Sequence, residues 1–433
     1  MTDKKRLFSL VDEIKEEIIS LGDTLFECPE LGFKEFKTAE IIKSKLDELD
    51  IKYESEIGMT GIKATIGEGN GYHIAFAADI DALPCKSTDG FIHSCGHSIQ
   101  TTIALATARV LKKSNILDGT DVKVSFIFTP AEEFVDFEYR DGLIKEGKVD
   151  YRSGKQHMIV NGTFDDVDCV LSAHANGDKE KHFDVNSTLA GFTCKKYIFS
   201  GQAAHSGAEP HLGRNTLHGA VLCENAIAFI KDRFKPDAGV KINPVITEPG
   251  GTVNIIPDRT VLETYIRAND IETLTAAERK VDNCAKYCAL ALDLGCEIEN
   301  TIGYMPLSQS KLLTKTIKNN MLLLTDEEDI RENVISGASG DVGDLGYLLP
   351  VIQFGFAGID GIFHSDHFEV ADKENCYINT VKIVLGTIAD LVDNKELRDK
   401  NEDFEDRKEY YLNNWLVSGK ADVTLSELKN NLY

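Results

Sequence analysis

Three short apolar segments, each followed by polar residues, place the strongest constraint on how this 433-residue chain can fold. They cover residues 73–78, 122–128 and 167–171, and apolar residues at helical spacing occupy 101–111 between the first two. Strands that alternate with helices predict a mainly parallel sheet. Because ligands of such sheets gather at the carboxyl ends of the strands, we expect the functional residues directly after these segments.

The remaining pattern predicts an α/β fold in which a catalytic domain is interrupted by an inserted α+β domain. Apolar residues recur at steps of three and four over residues 7–26 and 39–49, which predicts two opening helices. After residue 191 two helices alternate with strands in a way that is typical of a ferredoxin-like domain. We predict catalytic domain over 1–190, inserted domain over 191–303, catalytic domain again over 304–393, and a charged C-terminal extension over 394–433. The extension is open to two interpretations, a packed helix or a loose segment.

Composition argues against several classes of function. The chain carries 47 Lys and Arg against 71 Asp and Glu, a net charge of −24 that repels nucleic acid and anionic membranes. The N-terminal segment lacks the continuous apolar stretch of a signal peptide or membrane span. Ten cysteines without a Cys-x-x-Cys pair are typical of buried thiols in a reducing compartment. We therefore expect a cytoplasmic protein that binds neither nucleic acid nor membranes.

Reactive side chains follow the predicted strands. They are Asp79, Asp81, Cys95, His97, Glu132, Glu133 and His174, and far along the chain His364 and His367. Thiolate, imidazole and carboxylate groups are the ligands of zinc and similar divalent ions, and five such ligands suggest two metal ions. In the adjacent pair Glu132 and Glu133, one carboxylate can bind metal while the other accepts a proton from water, which is hydrolase chemistry.

Eight ordered motifs resemble those of the aminoacylase and carboxypeptidase amidohydrolases. They are PELGFKEFKTA at 29–39, DIDALP at 79–84, HSCGH at 93–97, PAEE at 130–133, the strand end at His174, GQAAHSGAEPHLGRN at 201–215, GGTVNIIPD at 250–258, and His364. The resemblance extends over residues 10–390. It is closest to the branch with indole-acetyl-amino-acid hydrolases, N-acyl-amino-acid deacylases and aminobenzoyl-glutamate hydrolase.

This resemblance implies a di-metal catalytic domain with an inserted lid that also forms a homodimer. The implied metal ligands are Cys95, His97, Glu133, His174 and His364. Glu132 is similar to the family's general base, and Asp81 to a carboxylate that orients a ligand. The metal of first choice is zinc, with manganese, cobalt and nickel as the alternatives.

The resemblance also extends to the predicted lid. His205 is similar to a histidine that polarises the scissile carbonyl, often from the partner subunit, and Asn254 resembles a lid residue that reaches the same site. Arg267 could hold a substrate carboxylate or could pair within the lid, and the sequence leaves both open. His364 matches the family's last ligand position, with His367 as the competing residue.

The chain departs from the family pattern beside the predicted ligands. The family has Asp directly after Cys-Gly-His and His two residues later, whereas this chain has Ser98 and Gln100. The segment 84–93 is also shorter than usual, which predicts a reshaped pocket wall.

These patterns predict a metal-dependent amidohydrolase that cleaves N-acyl-amino acids or small peptides. Two other hypotheses stay open. The changes at Ser98 and Gln100 allow a catalytically impaired binding or scaffold protein, and a metallo-aminopeptidase or dipeptidase would differ in recognising a free amine.

Overall fold

A computed structural model describes residues 2–399, 403–417 and 420–423. The helices are α1 Lys4–Glu13, α2 Lys15–Phe26, α3 Phe36–Glu48, α4 His97–Ser114, α5 Phe137–Lys145, α6 Gly154–Val160, α7 Thr216–Ile230, α8 Ile271–Ala291, α9 Lys311–Met321, α10 Val342–Leu348, α11 Thr380–Asp393 and α12 Phe404–Tyr410. The strands are β1 Tyr53–Ile57, β2 Gly61–Ile66, β3 Tyr72–Asp79, β4 Leu83–Pro84, β5 Phe91–Ile92, β6 Val122–Thr129, β7 Cys169–Ala175, β8 Phe183–Val185, β9 Gly191–Ser200, β10 Ala204–His205, β11 Lys241–Ile242, β12 Val245–Glu248, β13 Ile255–Ile256, β14 Arg259–Ala268, β15 Gly295–Ile302, β16 Ile330–Glu332, β17 Val351–Phe356, β18 Ile359–Asp360, β19 Glu369–Val370 and β20 Lys420–Val423.

The chain forms two compact units. The first contains Met1–Ser187, Ser308–Ile335 and Asp344–Phe404, and the second contains Thr188–Leu307, Ser336–Gly343 and Glu405–Tyr433. Each unit is therefore assembled from separate stretches of the chain. The domain boundaries given above stay a prediction.

The first unit is built on an eight-stranded sheet with the order β1-β2-β6-β3-β7-β17-β8-β16. The four central strands β6, β3, β7 and β17 run parallel to one another. Antiparallel pairing occurs toward the edges, between β1 and β2, between β2 and β6, and between β17 and β8. The predicted α/β fold class with a mainly parallel sheet is confirmed.

The central strands are apolar because helices cover the sheet. Every residue of β3 is buried, as expected for a strand inside a parallel sheet. Helix α4 packs on β3 and also contacts α2 and α11, so its whole length is rich in buried residues. Among the described residues no helix combines the length and apolar character needed to cross a membrane.

The second unit is an antiparallel sheet with two long helices. Its elements follow the order β9, α7, β12, β14, α8 and β15, and β12 and β15 flank the central pair β14 and β9. Helices α7 and α8 pack on each other and on strands β9 and β14. This connectivity is the ferredoxin-like arrangement that the sequence predicts for the inserted domain.

The structure corrects one predicted element and adds two details. The predicted helix over 7–26 is two helices, because Ile14 leaves helical geometry (φ −111°, ψ 16°) while its side chain stays buried. In the second unit, the short strands β11 and β12 are separated by residues 243–244. In the C-terminal extension, α12 is followed by buried Tyr411 and Trp415, and β20 adds a strand beside β15.

A buried histidine at the start of β3 links stability to pH. The His73 ring lies 2.7 Å from the Asp166 carbonyl through Nδ1 and 2.7 Å from the Ser125 hydroxyl through Nε2. Burial lowers the pKa of His73 from 6.5 to about 4, although the Asp166 carboxylate opposes this shift. The unfolded chain therefore takes up this proton at higher pH than the folded protein does.

We expect the free energy of unfolding to fall as the pH drops from 6.5 to 4, with His73 accounting for up to roughly 3 kcal/mol. His73→Gln removes the titrating ring but keeps groups that can donate and accept. Urea unfolding of the parent and the variant at several pH values measures the difference. Parallel pH curves for the two proteins would contradict this assignment.

Candidate metal centre

The carboxyl ends of the central strands bring the predicted site residues together. Strand β3 ends at Asp79, two residues before Asp81, and β6 ends three residues before Glu132. His174 is the penultimate residue of β7. Because these strands are parallel neighbours, their ends lie at one edge of the sheet, as expected for a ligand site in this fold class.

The Cys95-Gly96-His97 tripeptide turns sharply into helix α4. Gly96 is the residue before the helix and has a left-handed backbone (φ 89°) that a side chain would strain. The Sγ of Cys95 lies 3.6 Å from Nε2 of His174. The glycine thus allows both flanking side chains to take part in one group with the strand-end histidine.

Six predicted residues form three overlapping groups of donor atoms. Within each group the atoms lie within 4.8 Å of one another, and the groups are Cys95, His97 and His174; Cys95, Glu133 and His364; and His97, Glu132 and Glu133. Cys95, His97 and Glu133 each belong to two groups. Overlap of this kind fits two neighbouring cations that share part of their surroundings.

The two adjacent glutamates follow a strained turn. Pro130 ends the pairing of β6, and Ala131 has a left-handed backbone (φ 54°), which costs an alanine roughly 1 kcal/mol. Oε2 of Glu132 lies 3.8 Å from Nε2 of His97, and Oε1 of Glu133 lies 3.4 Å from Nε2 of His364. The turn therefore directs both carboxylates toward imidazoles of the same cluster.

Asp81 holds two of the other residues in place. Its buried carboxylate contacts Nδ1 of His97 through Oδ1 (2.9 Å) and accepts the N–H of Glu133 through Oδ2 (3.0 Å). A histidine held at Nδ1 presents Nε2 to a ligand. Asp81 thus fixes the orientation of His97 and the position of the Glu133 backbone.

The charges in the cluster fit a bound cation. Burial raises the pKa of Glu133, with Asp81 adding to the shift, and burial together with Glu133 raises the pKa of Cys95 well above its usual value. Burial lowers the pKa of His174 to about 4, which leaves a neutral ring able to bind metal. Divalent cations stabilise thiolate and carboxylate anions in such a site.

Two buried atoms supply an independent test of that fit. Neither Nε2 of His97 nor Oε1 of Glu133 makes a hydrogen bond within the part of the chain that the structure describes. Their nearest charged neighbours, Oε2 of Glu132 and Nε2 of His364, lie 3.8 and 3.4 Å away, and buried polar atoms without a hydrogen bond call for a further partner. Both atoms belong to the donor groups described above, and a divalent cation supplies what both lack.

The structure separates the two competing histidines near the C-terminus. His364 has a left-handed backbone (φ 59°), and its N–H donates to the carbonyl of Ser94, one residue before Cys95. This bond ties the His364 loop to the metal-centre loop. Both histidines are exposed, but only His364 belongs to a donor group.

Several buried charged residues beside the site were not predicted, among them Lys155 and Glu35. Lys155, only 1% exposed, forms an ion pair with Asp79, which also accepts the Thr129 hydroxyl at 2.6 Å. Glu35 is fully buried, and its carboxylate accepts the N–H of Ala131. The only sequence signal for Glu35 was its place in the PELGFKEFKTA motif, and nothing in the sequence singled out Lys155.

The residues that depart from the family pattern are buried within the same region. The amide oxygen of Gln100 accepts the N–H of Asp79 at 3.0 Å, so this residue supports the end of β3. Ser98 is 2% exposed, and its hydroxyl makes no hydrogen bond among the described residues.

The three predicted lid residues lie in the second unit. Two short strands pair His205 with Ile255, and the N–H of Ser206 donates to the carbonyl of Asn254, so His205 and Asn254 are close neighbours. Arg267 lies apart from them and donates to the carbonyl of Gly337 and the hydroxyl of Ser339.

Comparisons with known proteins agree on one family. The profile of Peptidase family M20/M25/M40 matches residues 75–390. The Xaa-Arg dipeptidase of Mus musculus is 26% identical over 397 residues, which cover 88% of this chain and 86% of that protein. The N-acetyl-L-cysteine deacetylase of Bacillus subtilis is 26% identical over 400 residues, 88% and 90% of the two chains.

A solved structure shows the same fold. The dinuclear metal-binding M20 peptidase of Bacillus subtilis superposes with a TM-score of 0.68 over 88% of this chain and 99% of its own, at 19% identity. The family match and the clustered donors support divalent metal ions as the cofactor class. The family resemblance predicted from the eight motifs is confirmed, and the chain belongs to Peptidase family M20/M25/M40 as a hydrolase of amide bonds.

Proposed function

We propose that this protein hydrolyses the amide bond of N-acyl-amino acids or small peptides with a free carboxylate, with two divalent ions per chain. The observation that carries the proposal is the convergence of six thiol, imidazole and carboxylate groups at one edge of the sheet. The relatives named Xaa-Arg dipeptidase and N-acetyl-L-cysteine deacetylase support this substrate class.

Five residues would hold the ions: Cys95, His97, Glu133, His174 and His364. When bound, the ions would supply Lewis-acid polarisation of the amide carbonyl and activation of water. We propose zinc as the native metal because thiolate and imidazole ligands suit it, with manganese, cobalt and nickel to be distinguished by metal analysis.

Glu132 would move the proton. It would accept a proton from the attacking water and pass it to the nitrogen of the departing amine, because its carboxylate lies in the donor cluster, 3.8 Å from Nε2 of His97, and is not one of the five proposed ligands. Asp81 would keep His97 and the Glu133 backbone in register during this transfer. Glu132 would therefore transfer the proton, whereas the fully buried Asp81 would position neighbouring groups.

The second unit would contribute to substrate handling. We propose that His205 stabilises the oxyanion of the tetrahedral intermediate, with Asn254 beside it. Arg267 would bind the substrate carboxylate, and its contacts with Gly337 and Ser339 would then hold the guanidinium in place. Motif resemblance supports the roles of His205 and Asn254, and the role of Arg267 is proposed from its place near the end of β14.

A second copy of the chain would bind to the second unit. Helix α7 buries one face, yet Val221, Leu222 and Phe229 remain exposed, and Phe229 is 76% exposed. An apolar surface of this kind is typical of a protein interface. We propose a cytoplasmic homodimer, a location that fits ten cysteines without disulfides.

Replacing the proposed general base tests the mechanism. Glu132→Gln keeps the shape of the side chain but cannot accept the proton, so kcat on an N-acyl-amino-acid panel should fall on the order of 1000-fold. Glu138→Gln removes an exposed carboxylate nearby and should stay within about twofold of the parent. An unchanged kcat for Glu132→Gln would overturn the assignment.

Metal content tests the ligand set. Elemental mass spectrometry of protein purified without chelator should give about two divalent ions per chain, and Cys95→Ala should lose at least one, because the thiol belongs to two donor groups. Cys169→Ala, a buried thiol in β7 outside these groups, serves as the matched control and should keep both ions. Equal metal content in both variants would exclude Cys95 as a ligand.

The proposed dimer is tested on helix α7. Phe229→Glu combined with Leu222→Glu places two charges on the exposed apolar face and should convert the dimer to a monomer in light scattering at micromolar concentration. Tyr287→Glu changes an aromatic residue that is 54% exposed on α8 and should leave the mass unchanged. A monomeric parent protein would contradict the proposal.

A further inference from the structure

The motif segment 29–39 connects two parts of the metal centre. The carbonyl of Glu30 accepts the N–H of Ala82, the residue after Asp81, at 2.7 Å. The carboxylate of Glu35 accepts the N–H of Ala131, the residue before Glu132, at 2.9 Å. A stretch of six residues therefore contacts both carboxylate-bearing turns, although none of its own side chains belongs to the donor groups.

Glu35 is held rigidly for this contact. Its side chain is fully buried, and the hydroxyl of Thr60 donates to Oε2 at 2.6 Å while Oε1 accepts the Ala131 N–H. Both carboxylate oxygens are thus engaged in short bonds to fixed groups. A buried carboxylate is retained at a site only where its bonds repay the loss of solvation.

The opposite side of Ala131 is held by a buried cation. Nη1 of Arg140 donates to the carbonyl of Ala131 at 3.2 Å and to the carbonyl of Arg152 at 2.7 Å. Arg140 is fully buried, and its guanidinium lies over the ring of Phe33 with 5.6 Å to the centroid. The N–H of Ala131 is therefore bound by the Glu35 carboxylate, and its carbonyl is bound by the Arg140 guanidinium.

Ala131 needs such support because of its backbone. Its φ of 54° lies in the left-handed region that residues with a Cβ avoid. A strained conformation persists only where surrounding contacts enforce it, and such residues cluster at functional sites. Gly32 leaves the necessary room, since a Cβ there would lie 2.7 Å from Cα of Ala131 and 2.4 Å from Nη2 of Arg140.

We propose that Glu35 is a positioning residue for catalysis, which with Arg140 clamps the left-handed turn at Ala131 and so directs Glu132 and Glu133 into the metal centre. The inference rests on the proposed function for its effect on turnover. The clamp itself is a property of the folded chain and can be measured without substrate or metal.

Turnover separates positioning from general stabilisation. Glu35→Ala should lower kcat on the order of 10- to 100-fold with little change in KM, because the general base is displaced rather than the substrate site. Glu35→Gln keeps an amide oxygen for the Ala131 N–H and should recover most of that activity. Asp168→Ala removes a carboxylate that binds the His73 N–H at the opposite end of β3, and should keep kcat near the parent value.

Relief of the backbone strain supplies the decisive variant. Ala131→Gly can adopt the left-handed turn without help, so the double variant Glu35→Ala with Ala131→Gly should have a higher kcat than Glu35→Ala alone. Ala131→Gly combined with Asp168→Ala should give no such increase in kcat over Asp168→Ala alone. A merely structural role for Glu35 would not predict this selective rescue.

Hydrogen exchange of the metal-free protein gives the readout that is independent of activity. Backbone amides of residues 131–135 should exchange at least about tenfold faster in Glu35→Ala than in the parent, and Glu35→Gln should restore protection. Parental exchange in a folded Glu35→Ala protein, or absence of rescue by Ala131→Gly, would overturn the proposal. Faster exchange in a protein whose parent hydrolyses no substrate would refute the proposed function and leave the clamp intact.

Discussion

The buried carboxylate of Asp81 is the interaction on which the site depends. It lies between the end of β3 and the turn after β6, and it binds the His97 ring and the Glu133 backbone at once. Without it, His97 and Glu133, which come from different segments of the chain, would lose the contact that they share. Because Asp81 is fully buried, water cannot take over these bonds.

Buried charge is concentrated around this edge of the sheet. Asp79 is paired with Lys155, and Glu35 and Arg140 meet at the two polar groups of Ala131. Burial disfavours the anions of Cys95 and Glu133, and it also raises the pKa of Glu35 to about 7, with Asp81 adding to that shift. The fold thus pairs Asp79 with a buried cation and gives Glu35 and Arg140 backbone partners at Ala131, whereas the thiol and carboxylate of the donor groups would be stabilised by bound ions.

Much of the site could be predicted because the ends of strands can be recognised from the local sequence, and parallel pairing then fixes which residues lie close together in the fold. Asp81, Glu133 and His174 each follow or end an apolar run, and parallel pairing brings such ends together whatever loops connect them. Glu35, Arg140 and Lys155 escaped prediction because their roles depend on contacts over long sequence separations, for example 96 residues between Glu35 and Ala131. The break between α1 and α2 at Ile14 was not predicted either, because the apolar periodicity continues through it and tertiary packing decides where the helix bends.

The sequence by itself determined the fold class, the family and the set of candidate ligands, because these depend on periodicity and on residue types at fixed spacing. Only the tertiary structure decided that His364 rather than His367 faces Glu133, and that Gln100 supports the end of β3. It also decided that the PELGFKEFKTA segment holds the turn before Glu132. These outcomes depend on angles and distances between segments far apart in the chain, which burial and backbone geometry fix only once the sheet has formed.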